Sequence, residues 1–198
     1  MSDLLEMLKR RRTFYNLGKN TDVSIKDIEN IIKNIIKELP SAYGIQTGRY
    51  AILFGEKNVE FWNLIQESQK VILDREMYEV MKDRFDGGKE AYGTIVFFES
   101  KEAVESINDN DSRSNLYKEN NQGIALLAFW LALGELNLGG NIQYFNMENR
   151  KDFDEKIRDF LNISDDWKML GQMYFGSIEG PAKEKESLDV DELVKVIR

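Results

Sequence analysis

Apolar residues fall at helical spacing in some stretches of the chain and in unbroken runs in others, and this alternation sketches the fold. Leu4, Leu5, Met7 and Leu8 predict a first helix running into the basic stretch Lys9-Arg10-Arg11-Arg12. Ser24 and Asp27 have capping-box spacing, ahead of a stripe of Ile28, Ile31, Ile32, Ile35 and Ile36. Leu39-Pro40 ends that second helix, because the residue before proline avoids helical angles. Tyr50–Phe54 then reads as a buried strand closed by Gly55, and Val59–Leu73 as a helix. A polar, weakly patterned stretch containing Gly87-Gly88 leads to a second strand, Thr94–Phe98.

The segment from about Asn115 to Leu136 predicts the longest helix. Its centre, Ile124–Leu133, is apolar on every side, so a water-soluble protein must cover it all round. Ala125, Ala128 and Ala132 leave room for a neighbouring helix to approach closely. Gly139-Gly140 ends this helix, and a third strand covers Asn141–Phe145. An amphipathic helix from about Glu148 to Leu161 and a fourth strand near Met169–Phe175 complete the pattern. The tail Leu193-Val194-Lys195-Val196-Ile197 suits a short helix or an edge strand. The expectation is one domain over 1–198, of α+β or mixed α/β class.

Composition narrows the chemistry. The 198 residues include 27 basic and 35 acidic side chains, a net charge of −8, with neither cysteine nor histidine. Thiolate nucleophiles, imidazole bases, disulfides and Cys/His zinc sites are therefore excluded, and no acidic run resembles a calcium loop, so no metal site is expected. An enzyme with this inventory borrows its reactivity from a cofactor. The acidic balance argues against nucleic acid and anionic membranes as partners. The longest apolar run has ten residues, half of the ~20 that a membrane span requires. The opening residues lack a secretory signal, so a cytoplasmic location is expected.

Four segments carry candidate chemistry. Arg10-Arg11-Arg12-Thr13 either complements the negative end of the first helix or clamps a phosphate with guanidinium forks and a hydroxyl. Pro40–Arg49 is either an ordinary helix–strand connection or a loop whose backbone donors approach a planar ligand. Gly139–Tyr144 is a helix stop leading into a strand, and Gly176–Lys185 a charged loop. Neither a GxGxxG fingerprint nor a Walker loop is present.

Taken in order, Arg10–Asn20, Pro40-Ser41-Ala42-Tyr43 with Gln46 and Arg49, Gly93–Glu99, Leu138–Tyr144 and Phe175-Gly176-Ser177-Ile178 resemble the nitroreductase family of flavin enzymes. The likeness is strongest to the short branch containing the fungal fatty-acid-repression-mutant proteins and their bacterial relatives. It implies an α+β homodimer with a central, mostly antiparallel sheet flanked by helices, a C-terminal strand swapped onto the partner, and FMN at two interface sites. By motif position, Arg11, Arg12, Thr13 and Tyr15 with Lys183 and Lys185 would hold the cofactor at its phosphate end. Pro40, Ser41, Ala42, Gly44 and Gln46 would reach it from the other subunit, and Gly140, Gln143 and Tyr144 would approach the ring. Gly44 departs from the family's usual asparagine, and Lys89 is the candidate ring contact ahead of the second strand.

The implied activity is ping-pong reduction of nitroaromatic, quinone or similar flat acceptors by NADH or NADPH through flavin N5. The alternatives are a flavin-binding redox sensor or regulator with little turnover, and a flavin-free structural dimer.

Overall fold

The computed structural model describes residues 3–107, 113–145, 151–186 and 189–198. The elements run α1 (Asp3–Arg10), β1 (Leu17–Gly18), α2 (Ile25–Glu38), β2 (Gly48–Phe54), α3 (Gly55–Lys70) and α4 (Arg75–Glu90). They continue with β3 (Gly93–Ser100), α5 (Lys101–Glu105), α6 (Ser114–Glu135), β4 (Leu138–Gln143), α7 (Lys151–Leu161) and β5 (Trp167–Ile178). The class is α+β, an antiparallel sheet flanked by helices.

The sheet is organised by β5, which pairs antiparallel with β3, β4 and β1, while β2 pairs with the far side of β3. Every residue of β3 is buried. Its alternating side chains therefore feed two cores, one on each face of the sheet. Val96 and Phe98 pack with Phe61, Trp62, Phe85 and Tyr174, whereas Ile95 and Phe97 pack with Ile28, Ile32, Phe129 and Leu133. Such continuous hydrophobic strands are the expected result of helices covering both faces.

Helix α2 starts as its capping box requires: the Ser24 hydroxyl accepts from Asp27 N–H, and the Asp27 carboxylate accepts from Ser24 N–H. The polar stretch around Gly87-Gly88 is in fact helical, as α4. Most of its charges face water, and Asp74 caps it through Met77 N–H. Gly88 is needed because a Cβ there would lie 2.2 Å from the Trp62 ring. Trp62 donates to Thr94 Oγ1 (2.8 Å), Thr94 to Asn58 Oδ1 (2.6 Å) and Asn58 Nδ2 to Gly88 O (2.8 Å), so one buried network joins α3, β3 and α4.

Two further expectations change, and one strand pairing was not expected at all. Gly139-Gly140 do not stop α6 but lie inside β4; the helix ends at Leu136, followed by Asn137 at φ 57°. The short pairing of Leu17-Gly18 with the end of β5 had no sequence signal. The tail after Asp189 forms neither helix nor strand within its own protomer and leaves Leu193, Val194, Val196 and Ile197 exposed. The expected start of the seventh helix at Glu148 lies outside the described residues. Among the described residues no helix is long and apolar enough to cross a membrane.

Candidate functional site

The first end of the site is made by the antiparallel register of β1 and β5. Leu17 faces Ile178, and Asn16 and Glu179 exchange a hydrogen bond through Glu179 N–H and Asn16 O (3.0 Å). Farther along the same two segments, the Arg12 guanidinium donates to the Lys183 carbonyl. Each step forward in one segment is a step back in the other, so the ladder continues irregularly past the strand ends. This is why basic residues far apart in sequence meet.

The same segment is fixed to β4. Thr13 bridges Gly140, Phe14 N–H donates to Gly140 O (3.3 Å), and Asn141 Nδ2 donates to Phe14 O (2.8 Å). Gln143 Nε2 in turn donates to Asn141 Oδ1 (2.6 Å). Gly140 is held to glycine by Trp130, whose indole nitrogen would lie 2.8 Å from an added Cβ.

Cations gather here against the acidic balance of the chain. Arg11 lies over the Trp130 ring at 4.6 Å, and the Tyr15 ring carries both Arg84 (4.2 Å) and Lys183 (4.8 Å). None of Arg11, Arg12, Arg84 and Lys183 has a carboxylate partner among the described residues, whereas Arg10 pairs with Glu135 at 3.5 Å. Burial, and then the neighbouring Arg12, push the Arg11 pKa below its ordinary value. A guanidinium stays charged regardless, so the shift records its partial burial and the like charge beside it.

A groove of about 220 Å³ opens among Arg10, Arg11, Arg12, Phe14, Trp130 and Gly139. Trp130 Nε1 is buried there without a hydrogen-bond partner among the described residues.

The second end lies elsewhere in the protomer. Ser41, Gln46 and Pro40 line a small pocket with Tyr50 and Asn121, sharing no residue with the groove. Ala42 and Gly44 belong to a single 3-10 turn in which Tyr43 (φ 56°) and Gly44 (φ 71°) are both left-handed. Gln46 Nε2 reaches Ile36 O at 3.4 Å. Both ends rest on α6: Asn121 serves the turn, and Trp130 and Gly134 the groove. At 1.5 Å per residue, nine to thirteen residues separate them by about 13–20 Å.

The structure thus brings Arg11, Arg12, Thr13, Tyr15, Gly140, Gln143 and Lys183 into one neighbourhood, and leaves Pro40, Ser41, Ala42, Gly44 and Gln46 at the other end of α6. Tyr144 and Lys185 are exposed. Lys89 is bound to Gln66 and pairs with Asp86 at 3.5 Å, facing α3 rather than Tyr15. Sequence reading missed Arg84, which lies inside the stretch that shows only a weak helical pattern. It also read Trp130 only as apolar filling.

An antiparallel sheet covered on both faces, a cation cluster at a chain crossing and a glycine-bearing strand beside it make up the candidate site of an α+β protein. The chain belongs to the nitroreductase family, whose pattern matches residues 8–177. Members of that family use flavin. The chain is 26% identical to the Saccharomyces cerevisiae protein HBN1 over 193 residues, 94% of each chain. It is 24% identical to the nitroreductase FRM2 of the same yeast over 91% of each. The structure of the nitroreductase CinD of Lactococcus lactis bound to chloramphenicol superposes with a TM-score of 0.84 at 31% identity, over 99% of this chain and 100% of that one. CinD with 4-nitrophenol gives 0.82 at 32%, with the same coverage.

Proposed function

We propose that the protein is an FMN-dependent NAD(P)H oxidoreductase acting on flat nitroaromatic or quinone-like acceptors, as a homodimer with two composite sites. The observation that carries this reading is the convergence of Arg11, Arg12 and Lys183, cations without carboxylate partners, beside the glycine strand β4. A phosphate monoester suits that donor set: guanidinium forks, an ammonium and the Thr13 hydroxyl supply hydrogen bonds and offset two negative charges. The unpartnered Trp130 indole N–H in the groove is a further donor of the kind a phosphorylated cofactor satisfies.

When bound, the flavin supplies the redox chemistry, taking hydride from a reduced nicotinamide and passing it to the acceptor. The chain's own residues do the rest. Arg11, Arg12, Thr13 and Lys183 anchor the phosphate tail, and the Arg12–Lys183 contact holds the two segments together around it. Gly140, without a side chain, keeps the β4 backbone open to a planar ring, and Gln143 and Tyr144 border it. The partner's Pro40–Gln46 turn closes the site from the other side, which explains why one protomer keeps its two ends about 13–20 Å apart along α6. Ile124 and Leu127, exposed between those ends, would be covered in the same association. No histidine or cysteine is needed, consistent with their absence.

CinD is solved with chloramphenicol and with 4-nitrophenol, both nitroaromatic, which supports a flat acceptor here. The purified protein should take up one FMN per chain, bleach anaerobically with NADH or NADPH, and recolour on adding 4-nitrophenol or a quinone. Protein that stays colourless with excess FMN overturns the proposal. Gly44, lacking the family's side chain, favours one second reading, a flavin-binding sensor; its sign is bound FMN that either nicotinamide reduces only sluggishly.

A further inference from the structure

We infer that Asn121 is the positioning residue of the composite site: it sets the Pro40–Gln46 turn of its own chain for the flavin held by the partner's arginines. The inference rests on the composite-site reading above and adds a residue outside every motif recognised in the sequence.

Asn121 is buried on α6, 9% exposed, and spends its whole amide on the turn. Its Oδ1 accepts from Ala42 N–H (3.3 Å), and its Nδ2 donates to Ile45 O and to Thr47 Oγ1 (both 3.3 Å). These three partners bracket Tyr43 and Gly44, the consecutive left-handed residues. A left-handed tyrosine is costly and persists only where its surroundings over-determine it. The turn's own two backbone bonds, Gly44 N–H to Ser41 O and Ile45 N–H to Ala42 O, and the edge-on packing of Tyr43 against Tyr117 (5.6 Å) contribute, and Asn121 adds the hydrogen bonds that tie the turn's backbone to α6. The side chains around it would not fix the turn alone: Tyr43 is 72% exposed and a Cβ on Gly44 would touch nothing within 4 Å.

The amide is itself held. One turn before it on α6, Lys118 binds both oxygens of the buried Glu99 of β3 (3.1 and 3.2 Å). Asn121 is thereby indexed to the sheet on one side and to the turn on the other. It also lies three residues before Ile124 on the helix proposed as the subunit contact, so the helix that makes the interface also shapes the turn that crosses it.

The test uses full-length protein. Asn121→Ala removes all three bonds, and Asn121→Asp keeps the acceptor for Ala42 N–H but loses donation to Ile45 O. FMN affinity of the apoprotein should fall on the order of tenfold to a hundredfold in both, with the sedimentation of a dimer retained. Should Asn121→Ala fail to fold, the isosteric Asn121→Asp carries the measurement.

A heterodimer decides between the two chains. One protomer carries Asn121→Asp and the other Arg12→Ala, with separate tags for isolation. If Asn121 serves the partner's flavin, both defects fall in one site, the other site is intact, and half the FMN binds with wild-type affinity. A merely structural role, or service to the same chain's flavin, leaves no wild-type site, and that result overturns the inference. So does unchanged affinity in both single variants. Failure of the wild type to bind FMN is a separate outcome and removes the reading beneath it.

Discussion

Tyr50 shows how one side chain reports on its surroundings. It packs edge-on against Phe97 and Phe129, and burial pushes its phenol up to about 12 from the usual 10.0. The folded protein therefore keeps a proton that the unfolded chain surrenders near pH 10, so Tyr50 costs stability as pH rises from 10 toward 12, about 2–3 kcal/mol by the end. Tyr50→Phe should flatten thermal stability over that range by close to one proton, read as Tm against pH by circular dichroism. An unaltered slope would mean the phenol is wetter than the packing implies. Gly44 poses the opposite question. Its φ of 71° is a region that asparagine tolerates best among residues with a side chain, and space around it is open. Gly44→Asn should fold with a stability within about 1 kcal/mol of the wild type and bind FMN more tightly, measured by flavin fluorescence quenching. Weaker binding would show that the turn does not present this position to the cofactor.

Among the elements, α6 carries most of the account. Its apolar sequence was legible at once as a helix needing cover on all sides, and the sheet covers the face bearing Ala125, Phe129 and Leu133. Ile124 and Leu127 remain 38% and 41% exposed. Leu127→Glu should yield a protomer of monomeric mass by sedimentation, still helical by circular dichroism, with FMN affinity lost in proportion. A dimer that still binds FMN would move the interface elsewhere.

The capped and striped elements, α2 above all, were readable because capping and burial on one face leave a periodic trace. Helix α4 left only a faint one: Tyr78, Met81 and Phe85 face the core at spacings of three and four but stand among charged residues, and its other anchors, Gly88 under Trp62 and Asp74 at the cap, are not periodic. Arg84 was hidden for that reason. The glycines of β4 misled in the opposite sense: beside a long helix they read as a stop, whereas they serve close packing against Trp130, Leu17 and Phe14.

At the scale of the whole molecule, the meeting of chain ends is a property of topology rather than of any local motif. Sequence resemblance alone paired Arg11 and Arg12 with Lys183; composition and spacing did not, because the pairing depends on β1 and β5 being antiparallel neighbours. The two ends of α6 belong to this scale as well: in the proposed dimer it is the second protomer that brings a Pro40–Gln46 turn to the groove.

The central claim is that these cations grip a phosphate, and comparing FMN with riboflavin isolates the phosphate from the ring. Wild-type apoprotein should prefer FMN strongly. Arg12→Ala combined with Lys183→Ala should cut that preference on the order of a hundredfold while riboflavin binding changes little. Equal affinity of the wild type for the two flavins, or a preference that survives the double substitution, would contradict the account.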